Sequence, residues 1–198
     1  MKNQVIPIDK EKILAGSEKY FWKMCGTPMN EEAEELREKF EIWLLPQIIV
    51  SIDSGNGAEE VCTYAMCIEE LERDGLDMLE QFYLDTWMTA ILDSTRDWLK
   101  QYLCEYLSKE KGQQVFLSEA FGPGFYGIGM DEIPKILEKM DGSRIGVNWN
   151  GACLYPPKSN VGYYLVFEEE QEWRSRDCKN CLSGHKNCIF CKNYLPFA

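Results

Sequence analysis

The sequence predicts an α+β fold: a mostly antiparallel sheet packed with one long helix and shorter helices. Three observations predict it. Residues 76–111 contain no Gly or Pro and repeat apolar side chains at helical spacing. Several short β-compatible runs are bounded by turn residues. No regular strand–helix alternation of a parallel sheet is present. At 45% hydrophobic and 13% aromatic residues, the 198-residue chain can bury a real core, and no disorder signature appears.

Taken in order, residues 10–24 read as a short helix. Asn30 caps a second helix expected to run to Leu45, with Glu31, Glu32 and Glu34 at its positive end and Pro46 stopping it. Residues 48–53 are extended, Ser54-Gly55-Asn56-Gly57 is a turn, and residues 61–68 are β-compatible, with a helix as the alternative. The long helix covers residues 76–109 through Leu79, Phe82, Trp87, Ile91, Trp98 and Tyr102, and Gly112 supplies its stop. Residues 113–120 are a strand candidate and residues 121–129 a glycine-rich loop. Residues 130–140 form a short helix that tolerates Pro134 in its first turn. Residues 144–150 and 161–168 read as two more strands, joined through the rigid turn Tyr155-Pro156-Pro157-Lys158-Ser159.

Charge narrows the partners. With 21 Lys+Arg against 33 Asp+Glu, the net charge of -12 repels phosphate backbones and argues against nucleic acid. The opening residues lack the apolar run of a secretory signal, and the longest apolar stretches fall short of a membrane span, so the expectation is a cytoplasmic chain with no membrane contact. In a reducing compartment nine cysteines point to metal or redox chemistry rather than disulfides.

Four of them stand together. Cys178, Cys181, Cys188 and Cys191 form C-x2-C-x6-C-x2-C. A tight turn within each pair lets both sulfurs face one centre, and two pairs complete a tetrahedral thiolate shell suited to zinc or to an iron–sulfur cluster. Arg174, Arg176, Lys179, Lys186 and Lys192 gather around them in an otherwise acidic chain, which suits a site with surplus negative charge. His185, the single histidine, is an alternative ligand but reads better as a loop residue. The domain expectation is therefore residues 1–172 as one α+β domain and residues 173–198 as a four-cysteine metal-binding tail. Cys62, Cys67 and Cys104, among apolar neighbours, read as small core residues, and Cys25 and Cys153 as loop-associated thiols.

Gly122-Pro123-Gly124-Phe125-Tyr126-Gly127 formally matches G-x-G-x-x-G. Pro123 removes a donor where a pyrophosphate cradle needs one, and the surrounding βαβ unit is missing, so a dinucleotide reading fails. No Ser-His-Asp or Cys-His arrangement is available for nucleophilic catalysis.

The succession of this loop, the helix from Met130 to Met140, the Arg144-Ile145-Gly146-Val147 run and Leu154-Tyr155-Pro156-Pro157-Lys158-Ser159-Asn160-Val161-Gly162-Tyr163-Tyr164 resembles the activation domain of cobalamin-dependent methionine synthase. That family shows a Pro-Gly-Tyr turn after a strand, a short helix, a strand, and a Met-x-Pro-x-x-Ser-Val-x-Gly segment, with a long helix before them. The resemblance spans about residues 76–167 and excludes the cysteine tail. It implies a domain that binds S-adenosylmethionine, docks over the cobalamin of a partner protein, and supports reductive methylation of oxidised cobalt. It further implies ligand contacts from Gly122, Gly124, Phe125 and Tyr126 in the turn, from Tyr163 and Tyr164 in the strand, and from Lys158. One position departs: Ala120, beside Glu119, stands where the family has the arginine that pairs with the methionine carboxylate, so a charge-assisted contact is lost. The expected function is a stand-alone activator that docks on a corrinoid protein or cobalamin-dependent methyltransferase. The alternatives are a non-catalytic binding module stapled by zinc and an adenosylmethionine-dependent methyltransferase.

Overall fold

Aspartates open two of the helices that organise the chain. Asp9 caps α1 (Lys10–Cys25) by accepting from the Lys12 N–H, and Gly26 ends it in the left-handed conformation with its N–H on the Trp22 carbonyl. Asp77 caps α3 (Met78–Lys111) in a capping box closed by Glu80, and Gly112 ends it with φ +65°. Between them lies α2 (Glu31–Phe40), acidic in its first turn and basic in its last. The computed structural model describes residues 1–26, 31–40, 44–54, 60–124 and 128–170.

The strands are β1 (Gln4–Val5), β2 (Pro46–Ser54), β3 (Glu60–Ile68), β4 (Phe116–Leu117), β5 (Asn148–Trp149), β6 (Leu154–Tyr155) and β7 (Ser159–Phe167). Five form one sheet in the order β1-β2-β3-β7-β4, and β5 and β6 pair separately. Every pairing among them is antiparallel, so the fold is the α+β class the sequence predicts.

Register explains why β3 is buried almost throughout. Its Cys62, Tyr64 and Met66 face the helices with Ile48, Val50, Tyr164, Leu99, Leu103 and Leu107. Its Ala65 and Cys67 point the other way, onto α4 (Ile133–Glu138) and its neighbours, with Ile49, Val161, Ile133 and Ile136. The sheet is thus covered on both faces, one layer being the long helix and the other a small helical cap. The N-terminal half of α3 leaves the sheet and packs on α1 and α2. There Phe21 stacks on Trp87 at 4.0 Å between centroids, and the Trp87 indole N–H donates to the Ala33 carbonyl at 3.2 Å. α1 approaches α3 at Gly16, where an added Cβ would sit 2.4 Å from Ser94 Oγ.

Several boundaries differ from expectation. α2 is described over Glu31–Phe40, residues 41–43 lie outside the described residues, and Leu44 and Leu45, expected as the last helical residues, are not helical because Pro46 opens β2. The strand expected over residues 113–120 shrinks to Phe116–Leu117, since β4 pairs only with Val166 and Phe167 at the sheet edge. The strand expected over residues 144–150 is a 3-10 turn, Gly142–Ile145, followed by the short β5. Its apolar residues Ile145 and Val147 instead cap the second sheet face. No helix among the described residues is long and apolar enough to cross a membrane.

Candidate functional site

The glycine loop and the proline turn meet at β7. The loop crosses the strand at Phe121, whose N–H and carbonyl exchange two backbone hydrogen bonds with Tyr163 at 2.9 and 2.8 Å, and the two rings stack at 5.5 Å. Two glycines permit this approach. A Cβ on Gly162 would lie 2.4 Å from the Phe121 carbonyl oxygen and 2.7 Å from the Tyr64 hydroxyl, and one on Gly122 would lie 2.8 Å from the Val161 carbonyl oxygen. These neighbours are backbone or fully packed, so only glycine fits at either position.

Beyond that crossing, at Ser159, Asn160 and Val161, a cavity of about 200 Å³ opens between α3 and α4. Its roof is the loop from Glu119 to Pro123, and Ile133, Met130 and Leu154 close the apolar side. Its polar lining comes from Arg96 and Asp97 of α3, Tyr20 of α1, and Tyr64 and Asn160 of the sheet. Here the Tyr64 hydroxyl donates to Asn160 Oδ1 at 3.3 Å.

Charges in this lining are individually paired. The Arg96 guanidinium, 14% exposed, binds Asp93 through Nη2 at 2.9 Å. Burial disfavours its charge and the Asp93 carboxylate more than offsets that, so its pKa stands above the usual arginine value. Asp97 accepts from the Tyr20 hydroxyl at 2.5 Å and from Lys19 at 2.8 Å. Burial first, and then the bond to Asp97, push the Tyr20 phenol up, so it stays protonated and keeps donating. Glu119 lies 3.6 Å from Lys100.

The predicted ligand residues scatter around this cavity. Gly122 lines it, and Ala120 sits in its roof. Gly124 lies beyond the roof in a turn with φ +84°, its N–H on the Ile128 carbonyl. Tyr163 is half-buried against Phe121, whereas Tyr164 faces the opposite side of β7, buried in the core with its hydroxyl on the Arg96 carbonyl at 3.0 Å. Strand alternation separates the pair: two adjacent residues of one strand cannot both face one ligand. Lys158 is not in the cavity wall. Its ammonium is held by Asp85 at 2.9 Å and Thr89 at 2.8 Å, tying the cis Tyr155-Pro156 turn to α3. Phe125 and Tyr126 lie outside the described residues.

Arg96 escapes the sequence reading, which looked for a cation in the loop. A signal was present: Arg96 is the only basic residue from Leu76 to Leu99, and it is flanked by Asp93 and Asp97.

Cys178, Cys181, Cys188, Cys191 and His185 likewise lie outside the described residues. Among the described residues no group of three His, Cys, Asp or Glu side chains is placed to hold a metal. Cys62, Cys67 and Cys104 are packed in the core or against it, as expected. Burial pushes the Cys62 thiol up to about 12 and the Cys67 thiol up to about 11, which makes both poor nucleophiles. Cys153 is exposed, with its sulfur 3.4 Å from the Asn150 amide nitrogen.

This geometry defines an α+β domain with a small polar cavity beside β7, its charged lining residues each ion-paired. No protein-family model matches the chain, and no curated protein is significantly similar to it.

Proposed function

We propose that this chain is an accessory protein of a corrinoid-dependent methyl-transfer system. It docks on a corrinoid protein or cobalamin-dependent methyltransferase and supports the one-electron return of inactive Co(II) to Co(I). The observation that carries the reading is the crossing of Phe121 over Tyr163. The two segments whose succession resembles the methionine synthase activation domain, the glycine loop and the stretch from Tyr155 to Tyr164, thereby meet, and Gly122 lines a cavity together with Ser159, Asn160 and Val161.

The tail supplies the second support through its donor set. Two C-x2-C pairs amid Lys and Arg fit either a zinc ion or an iron–sulfur cluster. An iron–sulfur cluster would be held by Cys178, Cys181, Cys188 and Cys191 and would supply one-electron chemistry, with an external low-potential donor as the source of the electron. With zinc bound, the tail is a structural knot and the protein acts by docking alone. S-adenosylmethionine as the methyl donor is the weaker part of the reading, because Ala120 brings no cation to the cavity roof.

The test mixes the anaerobically purified full chain with a Co(II) corrinoid methyltransferase and titanium(III) citrate, and follows Co(I) formation by absorbance. Faster or more complete Co(I) formation, with a complex on size-exclusion chromatography, is the expected result. Neither complex nor rate change across several corrinoid proteins overturns the proposal. Metal analysis and the visible spectrum of the same sample separate the two roles of the tail: a band bleached by dithionite identifies the electron carrier, and colourless stoichiometric zinc identifies the docking module.

A further inference from the structure

We infer that the acidic groove between α2 and the first turns of α3 is a docking site for a basic amphipathic helix of a protein partner. The groove lies about 20 Å along α3 from Arg96, at about 1.5 Å for each residue between Tyr83 and Arg96. It is separate from the cavity beneath the glycine loop, and the inference holds whether or not the partner carries a corrinoid.

Apolar exposure locates the site. Met78, Leu79 and Phe82 are 88%, 47% and 53% exposed at the start of α3. Met78 and Phe82 share a helix face at i, i+4, and the Phe82 ring lies 5.8 Å from that of Tyr83. Beside them a groove of about 340 Å³ has Leu36, Leu79 and Tyr83 as its apolar lining. Glu32, Glu35, Leu36 and Lys39 reach it together from α2, because positions i, i+3, i+4 and i+7 line one side of a helix.

Charge selects the occupant. Glu32, Glu35, Asp77 and Glu80 line the groove with Lys39 as their one basic neighbour there. Asp77 and Glu80 are committed to the capping box of α3. The basic residues of α2 pair elsewhere, Arg37 with Glu18 and Glu34 and Lys39 with Glu80 at 3.9 Å. Glu32 and Glu35 are exposed and have no ion pair among the described residues. The surroundings strengthen the field. Residues 31–40 and 69–80 pack into one core cluster and carry eleven acidic against three basic residues, a net of -8 out of the chain's -12. Such a face repels nucleic acid, an anionic membrane and a second copy of itself. A cationic surface with apolar residues complements it on both counts.

The walls select a helix. Both are helices whose backbone bonds are internal, so no strand edge is offered to an extended peptide and side chains must supply the recognition. Apolar residues at i, i+3, i+4 and i+7 of the partner would settle on Leu36, Leu79 and Tyr83, with Phe82 beside them, and its Lys and Arg would reach Glu32 and Glu35.

The probe is a fluorescent Leu/Lys peptide of about 18 residues with helical periodicity, titrated with the full chain by anisotropy beside a scrambled peptide of equal composition. The patterned peptide should bind at least about tenfold tighter than the scrambled one and weaken as salt is raised. Glu32→Gln with Glu35→Gln should weaken it about tenfold and flatten the salt dependence, and Glu105→Gln with Glu110→Gln, exposed toward the other end of α3, should change it less than about twofold. Leu79→Ser with Phe82→Ser, both exposed so that the fold is retained, should weaken it about tenfold. The inference is overturned if the patterned peptide does not bind, if the scrambled one binds as well, if the two glutamate pairs lose equally, or if the folded serine variant binds like wild type. Self-association of the chain that the serine variant abolishes would make a second copy the occupant and overturn it as well. The readout involves no cobalt, so its failure and the failure of the corrinoid reading are distinguishable.

Discussion

Replacing Gly162 by Ala tests the reasoning that joins the two segments. The added Cβ would lie 2.4 Å from the Phe121 carbonyl oxygen and 2.7 and 2.9 Å from Tyr64 Oη and Cζ. Tyr64 cannot retreat, being 2% exposed and stacked on Tyr164 at 5.2 Å. The loop must therefore lift by about 1 Å, given an ordinary carbon–oxygen contact near the van der Waals optimum of roughly 3.5 Å. Lifting it loosens the two hydrogen bonds between Phe121 and Tyr163. Overpacking a tight site costs about 1–3 kcal/mol and each weakened hydrogen bond about 0.5–1.5 kcal/mol, so a loss of about 3 kcal/mol is expected. For a chain of this size that is roughly 6–12 °C in Tm, read by calorimetry or by urea unfolding at constant m-value. The Tyr64→Phe change on top of it should recover only part of the loss, because the contact with the Phe121 carbonyl remains. A fall in Tm under about 2 °C would refute the claim that close approach of the loop dictates glycine here.

Alkaline pH should weaken the fold through groups that burial keeps protonated. Tyr64 is pushed up to about 12, Cys62 to about 12 and Cys67 to about 11, from ordinary values of 10.0 for tyrosine and 9.0 for cysteine. A raised pKa means that the unfolded chain releases these protons first. Their contribution is whole below pH 9 and is lost progressively between pH 9 and 12, so the urea midpoint should fall across that window and stay flat from pH 7 to 9. A midpoint independent of pH up to 11 would contradict the burial of all three. Lys158→Met should cost about 1 kcal/mol, since its ammonium bonds Asp85 and Thr89 and its partner Asp85 is half-exposed.

How much of this was legible in the residues can be traced element by element. Local chemistry is written in the chain. The uninterrupted helical stripe and the Gly112 stop need only neighbours three or four residues away, and the ends of α1 and α3 fall within about two residues of expectation, whereas the Asp9 and Asp77 caps were not singled out. The same holds for β2, β3 and β7, whose apolar runs are long enough to declare a strand. Residues 144–150 misled because Ile145 and Val147 are apolar for a nonlocal reason: they cover the second sheet face from a turn. The cavity was half legible. Gly122 and the proline turn marked where the chain must bend, while the separation of Tyr163 from Tyr164 and the tether on Lys158 follow from strand facing and from α3.

By itself the sequence determined the α+β class, the extents of α1 and α3 and the four-cysteine spacing of the tail, because periodicity, stop signals and spacing are properties of short segments. Only the tertiary structure decided that Arg96 lines the cavity under the glycine loop, 24 residues before Ala120 in the chain. Packing brings a helix face and a loop together at a separation that no local pattern records, and that juxtaposition makes Arg96 part of the lining beneath the loop.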